Sequence, residues 1–200
     1  MEVKYIAIER EYGSGGTRIA QEAAARCGVA CYGPEILKTV AQRQNVSISQ
    51  LQEYEETVSN SFLYSLFVMT QSQTGNPDLL SDEAKLFVAE ARVIQELAGN
   101  GPAIFVGHSA SQALKHQEGV LRVFIHADQE FKYRRITEDY GIPAEQVESV
   151  CRRFQKRRAN YYNFCTHQKW DDYGNYDMVL DSSRLGISGC AKVLSALFSQ

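Results

Sequence analysis

The sequence has no apolar run approaching the roughly 18–20 residues of a membrane span, no internal repeat and no low-complexity segment. The N-terminus runs straight into a charged strand pattern, so no signal peptide is expected. Charge of one sign is not in excess: the formal net charge is −3, which argues against a general nucleic-acid binder. Cysteine is sparse and unpaired in pattern. Cys27, Cys31, Cys151, Cys165 and Cys190 are odd in number and form no CxxC pair. That spacing indicates neither a zinc site nor a redox motif, and free thiols in a reducing cytoplasm are the expectation.

What is present is an ordinary core. At 44% hydrophobic over 200 residues, the chain suits one α/β domain, 1–200, or a core domain with a helical insertion. The most informative stretch is Val3-Lys4-Tyr5-Ile6-Ala7-Ile8-Glu9-Arg10-Glu11-Tyr12-Gly13-Ser14-Gly15-Gly16-Thr17-Arg18. An apolar run ends in a glycine-rich turn, and a helix pattern follows at once. Glycines let backbone N–H groups converge on one point, and the new helix directs its positive dipole end there. Gly13, Ser14, Gly15, Gly16, Thr17 and Arg18 are therefore candidate phosphate-binding residues. Thr17 is also the candidate Mg²⁺ ligand, through its hydroxyl. Against the pattern G-x-x-x-x-G-K-[ST], Arg10 stands where the first glycine belongs and Gly16 where the lysine belongs. Arg10 and Arg18 are the nearest replacements for that lost cation. On these residues alone, a strand-to-helix turn whose glycines serve only packing stays open.

Strand and helix patterns alternate along the chain. Strands are expected over residues 3–9, 29–32, 102–107, 120–125 and 178–181, and helices over 17–26, 35–43, 129–140, 144–165 and 187–198, with a short one ending at Lys115. Residues 45–100 read as a helical block that covers a cleft or offers a homodimer surface. A capping box at Ser47-Ile48-Ser49-Gln50 opens a helix to about Thr57, Phe62 to Met69 mark another, and 70–80 read as a loop. The last helix of the block starts near Ser81-Asp82-Glu83. Its apolar stripe, Leu86, Phe87, Ala89, Val93, Ile94 and Leu97, is interrupted by Glu90 alone. Such alternation predicts a parallel sheet with helices on both faces.

A second cluster is basic. Arg152-Arg153-Phe154-Gln155-Lys156-Arg157-Arg158 carries five cations in seven residues, projecting from a helix anchored by Val147, Cys151, Phe154, Tyr161 and Cys165. Arginines there could meet the charge of a phosphoryl transition state. A solvated face, or RNA binding with Tyr161 and Tyr162 as stacking groups, are the other readings of the same residues. His108, just past a strand end, and Arg184, after the last strand, are further candidate ligand contacts.

These pieces, taken in order, resemble the cytidylate kinase-like family of P-loop proteins, relatives of the nucleoside monophosphate kinases. The resemblance rests on residues 10–20, on Val106-Gly107 and the turn after it, and on Val120-Leu121-Arg122-Val123-Phe124-Ile125. It continues through Lys156-Arg157-Arg158-Ala159-Asn160-Tyr161-Tyr162 and the run from Asn175 to Gly186. It implies a three-layer P-loop NTPase fold with a five-stranded parallel sheet, order 2-3-1-4-5, a helical insertion at 45–100 and a lid near 152–170. It implies a cytoplasmic phosphotransferase in which ATP-Mg²⁺ gives its γ-phosphoryl to a nucleoside monophosphate or other small acceptor. Gly13 to Arg18 would cradle ATP, Thr17 would hold Mg²⁺, and Arg10, Arg153, Arg157 and Arg158 would carry catalysis. A non-catalytic nucleotide- or anion-binding relative is the alternative. The chain departs from the family pattern at Gly33, His108, Ser111 and Gln155, around the acceptor site and the lid. The acceptor is therefore not read from the resemblance.

Overall fold

The computed structural model describes residues 2–45, 47, 49 and 82–198. Residues 48 and 50 of the expected capping box, most of the helix to 57, the helix over 62–69 and the loop at 70–80 lie outside them.

Five strands form one sheet: β1 (Tyr5–Arg10), β2 (Ala30–Tyr32), β3 (Ala103–Val106), β4 (Val120–His126) and β5 (Met178–Asp181). Their order is β2-β3-β1-β4-β5, and every neighbouring pair is parallel. Among the described residues the α-helices are α1 (Gly16–Cys27), α2 (Pro34–Gln44), α3 (Asp82–Ala98), α4 (Ala110–Ala113), α5 (Gln129–Tyr140), α6 (Ala144–Thr166) and α7 (Ser182–Ala196). The sheet order, the two helical layers and the strand assignments agree with the sequence reading, with ends shifted by a residue or two. The closing helix differs: α7 begins at Ser182 and breaks at Gly186, whose φ of 67° and ψ of 167° interrupt the turn. Its regular part thus starts at Ile187, where the periodicity starts.

Strand periodicity sorts the core. Ile6 and Ile8 point to one face, with Ile104, Val106, Val123 and Ile125 beside them, and pack on Ile19, Ala20 and Ala23 of α1 and on Cys190, Ala191 and Leu194 of α7. Ala7 and Phe105 point to the other face, against Ile36 and Val40 of α2 and Leu86, Val93 and Ile94 of α3. Each fully buried aliphatic side chain contributes roughly 1.5–3 kcal/mol by leaving water, and both faces are needed because a parallel strand is covered on both sides. Glu9 falls on the face of Ala7, opposite Phe124 in the β1–β4 register. Phe124 joins Tyr162, Trp170 and Tyr176 in a separate aromatic cluster there. The entry to β5 is fixed by Arg122, which grips Asp177 through Nε at 3.0 Å and Nη2 at 2.6 Å while its backbone N–H donates to Oδ2 at 2.8 Å. That bidentate pair holds the Asp177 carboxyl below the usual carboxylate range.

Helix ends follow local chemistry. Asp128 caps α5 by accepting from the Phe131 N–H at 2.8 Å, and Gly141, at φ 67°, ends it. Pro34 opens α2, where its missing N–H costs nothing. The 23 residues of α6 make it about 34 Å long at about 1.5 Å per residue.

Candidate functional site

The site is assembled at the carboxyl ends of the strands. After β1 the chain turns through Gly13 and Gly15, at φ 84° and 80°, a region that only glycine enters readily. Gly15 is the residue before α1, and the N–H groups of Gly16, Thr17 and Arg18 occupy the first turn, where a helix offers no carbonyl to accept them. The loop is braced from three sides. Ser182 Oγ donates to the Ser14 carbonyl at 2.7 Å. Ser14 Oγ donates to the Glu11 carbonyl at 2.8 Å. Glu11 takes Lys132 Nζ at 2.8 Å and the Ala127 N–H at 3.1 Å. Tyr12 stacks on Phe154 of α6 with ring centroids 4.4 Å apart. A loop held this firmly keeps its donors aimed before any ligand arrives.

The exchange of residues at 10 and 16 is one steric unit. A Cβ on Gly16 would lie 2.6 Å from Arg10 Cβ and 2.7 Å from its Cγ. The Arg10 side chain thus fills the space that a residue at 16 would need. It continues to Gly107, where a Cβ would lie 2.1 Å from Arg10 Nη1. The Arg10 side chain thus runs from beside Gly16 to beside Gly107.

A cleft of about 310 Å³ lies beside this loop, lined by Arg10 and Thr17 on the loop side, by Arg157 and Arg158 from α6, and by Glu9 and His108 from the strand ends. Arg158 Nη1 donates to the Arg10 carbonyl at 2.8 Å, and its guanidinium sits 5.5 Å from the centroid of the Tyr12 ring. Burial, and then the neighbouring Arg10, push Arg158 down to about 9, which leaves it cationic at neutral pH. Glu9 is 7% exposed and accepts from Trp170 Nε1 at 3.2 Å. Burial raises its carboxyl above the ordinary range, against the pull of Arg10, Trp170 and Arg158.

The far wall is a polar triad. Glu90 is wholly buried, at 0% exposure. One oxygen lies 2.7 Å from His108 Nδ1, and the other accepts from the Tyr161 hydroxyl. The turn that carries His108 is unusual: Gly107, His108 and Ser109 have φ of 77°, 57° and 47° in succession.

The structure brings Arg10, Gly13, Ser14, Gly15, Gly16, Thr17, Arg157 and Arg158 to one place. Arg18 is exposed, with only its backbone at the helix start. Arg153 is exposed, 5.3 Å from the centroid of the Phe154 ring, and does not line the cleft. Arg152 pairs with Glu148 on the solvent side at 2.7 Å. Arg184 is exposed as well. Sequence reasoning missed three members. Glu90 left a signal, as the one break in an apolar stripe. Glu9 left a weaker one, as an acid near the end of a buried strand. Arg135 left none. A Cβ on Gly15 would meet Arg135 Cζ at 3.3 Å, so its guanidinium lies beside the loop. It pairs with Asp139 at 2.7 Å, and its buried Nε has no hydrogen-bond partner among the described residues.

These features fit a nucleotide phosphate chain with Mg²⁺. The N–H groups of the first turn, the guanidinium groups of Arg10, Arg157 and Arg158, and the unsatisfied Arg135 Nε suit an anion. Magnesium takes few protein oxygens and keeps phosphate and water oxygens for the rest, and the Thr17 hydroxyl on the cleft wall is a donor of that kind.

The five-stranded sheet in this order, with its glycine loop between β1 and α1, defines a P-loop kinase fold. The model of the cytidylate kinase-like family matches residues 5–184, and the chain belongs to that family. Among solved structures, an uncharacterized protein from Eubacterium ventriosum aligns over 100% of this chain and 99% of its own, with a TM-score of 0.71 and 19% identity. Shikimate kinase from Bacteroides thetaiotaomicron aligns over 98% of both chains, with a TM-score of 0.55 and 13% identity. At these identities the likeness is one of fold. No curated protein matches the chain. Among the described residues no helix is long and apolar enough to cross a membrane.

Proposed function

We propose that this chain, 1–200 acting as one domain, is an ATP-Mg²⁺-dependent phosphotransferase whose acceptor is a nucleotide or other small molecule. The observation that carries the reading is the placing of Thr17 and three guanidinium groups, Arg10, Arg157 and Arg158, on the wall of one cleft beside the α1 N-terminus. Membership of a kinase-like family supports it.

In this reading the N–H groups from Gly13 to Arg18 orient the phosphates, with Arg135 beside Gly15. Arg10 stands in for the P-loop lysine. Thr17 holds Mg²⁺, which when bound neutralises phosphate charge. Arg157 and Arg158 meet the charge that grows on the transferred group, and residues 152–170 form the lid, with Arg153 at its outer end. Such catalysis is mostly positioning and electrostatics. Braced loops and half-buried guanidinium groups serve that purpose because they need little reorganisation as charge moves. The test is transfer itself: radiolabelled γ-phosphate should pass from ATP-Mg²⁺ to a member of a small-acceptor panel, and ATP bound without transfer to any acceptor would favour a binding protein instead.

A further inference from the structure

We propose that Glu9 selects the acceptor, by pairing its open carboxyl oxygen with a hydroxyl group of that molecule that lies away from the transferred phosphoryl group. This rests on the phosphotransferase reading and deepens it by naming the acceptor class: a small molecule with a hydroxyl besides the oxygen that is phosphorylated.

One oxygen of Glu9 is occupied and the other is open. Trp170 Nε1 donates to Oε2 at 3.2 Å. The indole is itself fixed: it is buried against Phe124, and the Trp170 carbonyl accepts from the Tyr176 hydroxyl at 2.7 Å. Among the described residues Oε1 has no hydrogen-bond partner, and no cation forms an ion pair with the carboxyl. Yet Oε1 is not sealed inside protein. Glu9 is 7% exposed, and the space it borders is the cleft. A buried polar atom without a partner is rare and costs stability, and a ligand that supplies the partner removes that cost.

Strand geometry says which part of the acceptor Glu9 meets. Successive residues of a strand point to opposite faces. Arg10 takes the side of the phosphate loop, with its Cβ beside Gly16. Glu9 takes the other side, with Phe124 and Trp170. The chemistry of the carboxyl then selects among ligand groups. A hydroxyl both donates and accepts, so it satisfies Oε1 whether or not the carboxyl carries a proton. An ammonium would be repelled by Arg10 and Arg158, which act on Glu9 within the same cleft. An anionic group goes instead to those guanidinium groups.

Two sources offer this chemistry, the ribose of a nucleotide and a free polyol, and the probes separate them. With the β,γ-imido analogue of ATP and Mg²⁺ present, calorimetry compares cytidine monophosphate with its 2′,3′-dideoxy form, and ribitol with 1,5-pentanediol. Each pair keeps its charge and differs only in hydroxyl groups. In at least one pair the hydroxyl-rich probe should bind wild type about tenfold or more tightly, because a site built to hydrogen-bond a hydroxyl rejects the analogue that lacks it. The preference should persist in Glu9→Gln, whose amide still pairs with a hydroxyl, and vanish in Glu9→Leu, with circular dichroism verifying the fold. Trp170 is the chain's single tryptophan, so its emission in wild type reads the same place without any substitution and should shift saturably with the bound probe. A preference that survives in Glu9→Leu, no preference in either pair, no binding of any probe, or emission unmoved at saturation overturns this proposal alone. Absence of ATP-Mg²⁺ binding overturns the phosphotransferase reading beneath it.

Discussion

Restoring the lysine of the usual P-loop should be harmful alone and tolerated only with its partner change. In Gly16→Lys the new Cβ would fall 2.6 Å from Arg10 Cβ and 2.7 Å from its Cγ, well inside van der Waals contact and against a side chain's base, which cannot swing away. Overpacking of this kind costs about 1–3 kcal/mol. For a chain of 200 residues, at roughly 2–4 °C per kcal/mol, Tm should fall by about 2–12 °C. Arg10→Gly alone should cost its own increment, about 0.5–1 kcal/mol for glycine in a strand, together with the lost guanidinium contacts. The double variant Arg10→Gly/Gly16→Lys removes the clash and returns a cation to the loop. Urea denaturation of the four proteins closes a double-mutant cycle, and the expected coupling is about 1–3 kcal/mol in favour of the pair. Additive effects, with coupling below about 0.5 kcal/mol, would refute the claim that positions 10 and 16 form one steric unit.

Thr17→Ala should weaken ATP binding about tenfold with Mg²⁺ present, the worth of ~1.4 kcal/mol, and leave Mg²⁺-free binding unchanged; equal losses in calorimetry would remove the metal role. Arg157→Ala should lower kcat about a hundredfold, as loss of a transition-state donor does, with ATP affinity little altered; steady-state kinetics with an unchanged kcat would exclude it from catalysis. Glu9→Gln should gain stability over wild type as pH rises. The folded carboxyl titrates above its unfolded value of 4.5 because of burial, so between those two values the native state holds the extra proton and wild type loses stability with rising pH. Urea midpoints that diverge as pH falls instead would contradict the sign.

The sequence carried the loop and the sheet clearly because both are local. The glycines at 13, 15 and 16 sit between an apolar strand and an apolar-faced helix, and each parallel strand is followed by its own helix. The basic helix was half legible. Spacing puts Arg153 and Arg157 on one row, yet a separation of four residues is about 6 Å along the axis, so one row does not give the two the same surroundings. Arg157 lines the cleft, while Arg153 remains in solvent. Trp170 is 4% exposed, and its indole reaches Glu9. That contact joins residues 161 positions apart, and no periodicity encodes it. Arg135 is illegible for the same reason: on α5 it is one cation among several, and only the approach of that helix to Gly15 gives it a place. Glu90 was visible as an exception, since a buried acid amid an apolar stripe requires partners, but those partners came from two other elements.

The most direct test of the central claim, that the loop at 13–18 receives a nucleotide phosphate chain, is a calorimetric titration of ATP-Mg²⁺ into wild type and Gly15→Ala, with circular dichroism to verify that the variant is folded. A Cβ at Gly15 would lie 2.3 Å from Ile187 Cδ1 and 3.3 Å from Arg135 Cζ, at a φ of 80°, so the variant distorts the cradle at its centre. The account requires saturable binding in wild type that falls at least tenfold, by about 1.4 kcal/mol or more, in the folded variant. No binding in wild type, or equal affinity in both proteins, would contradict it.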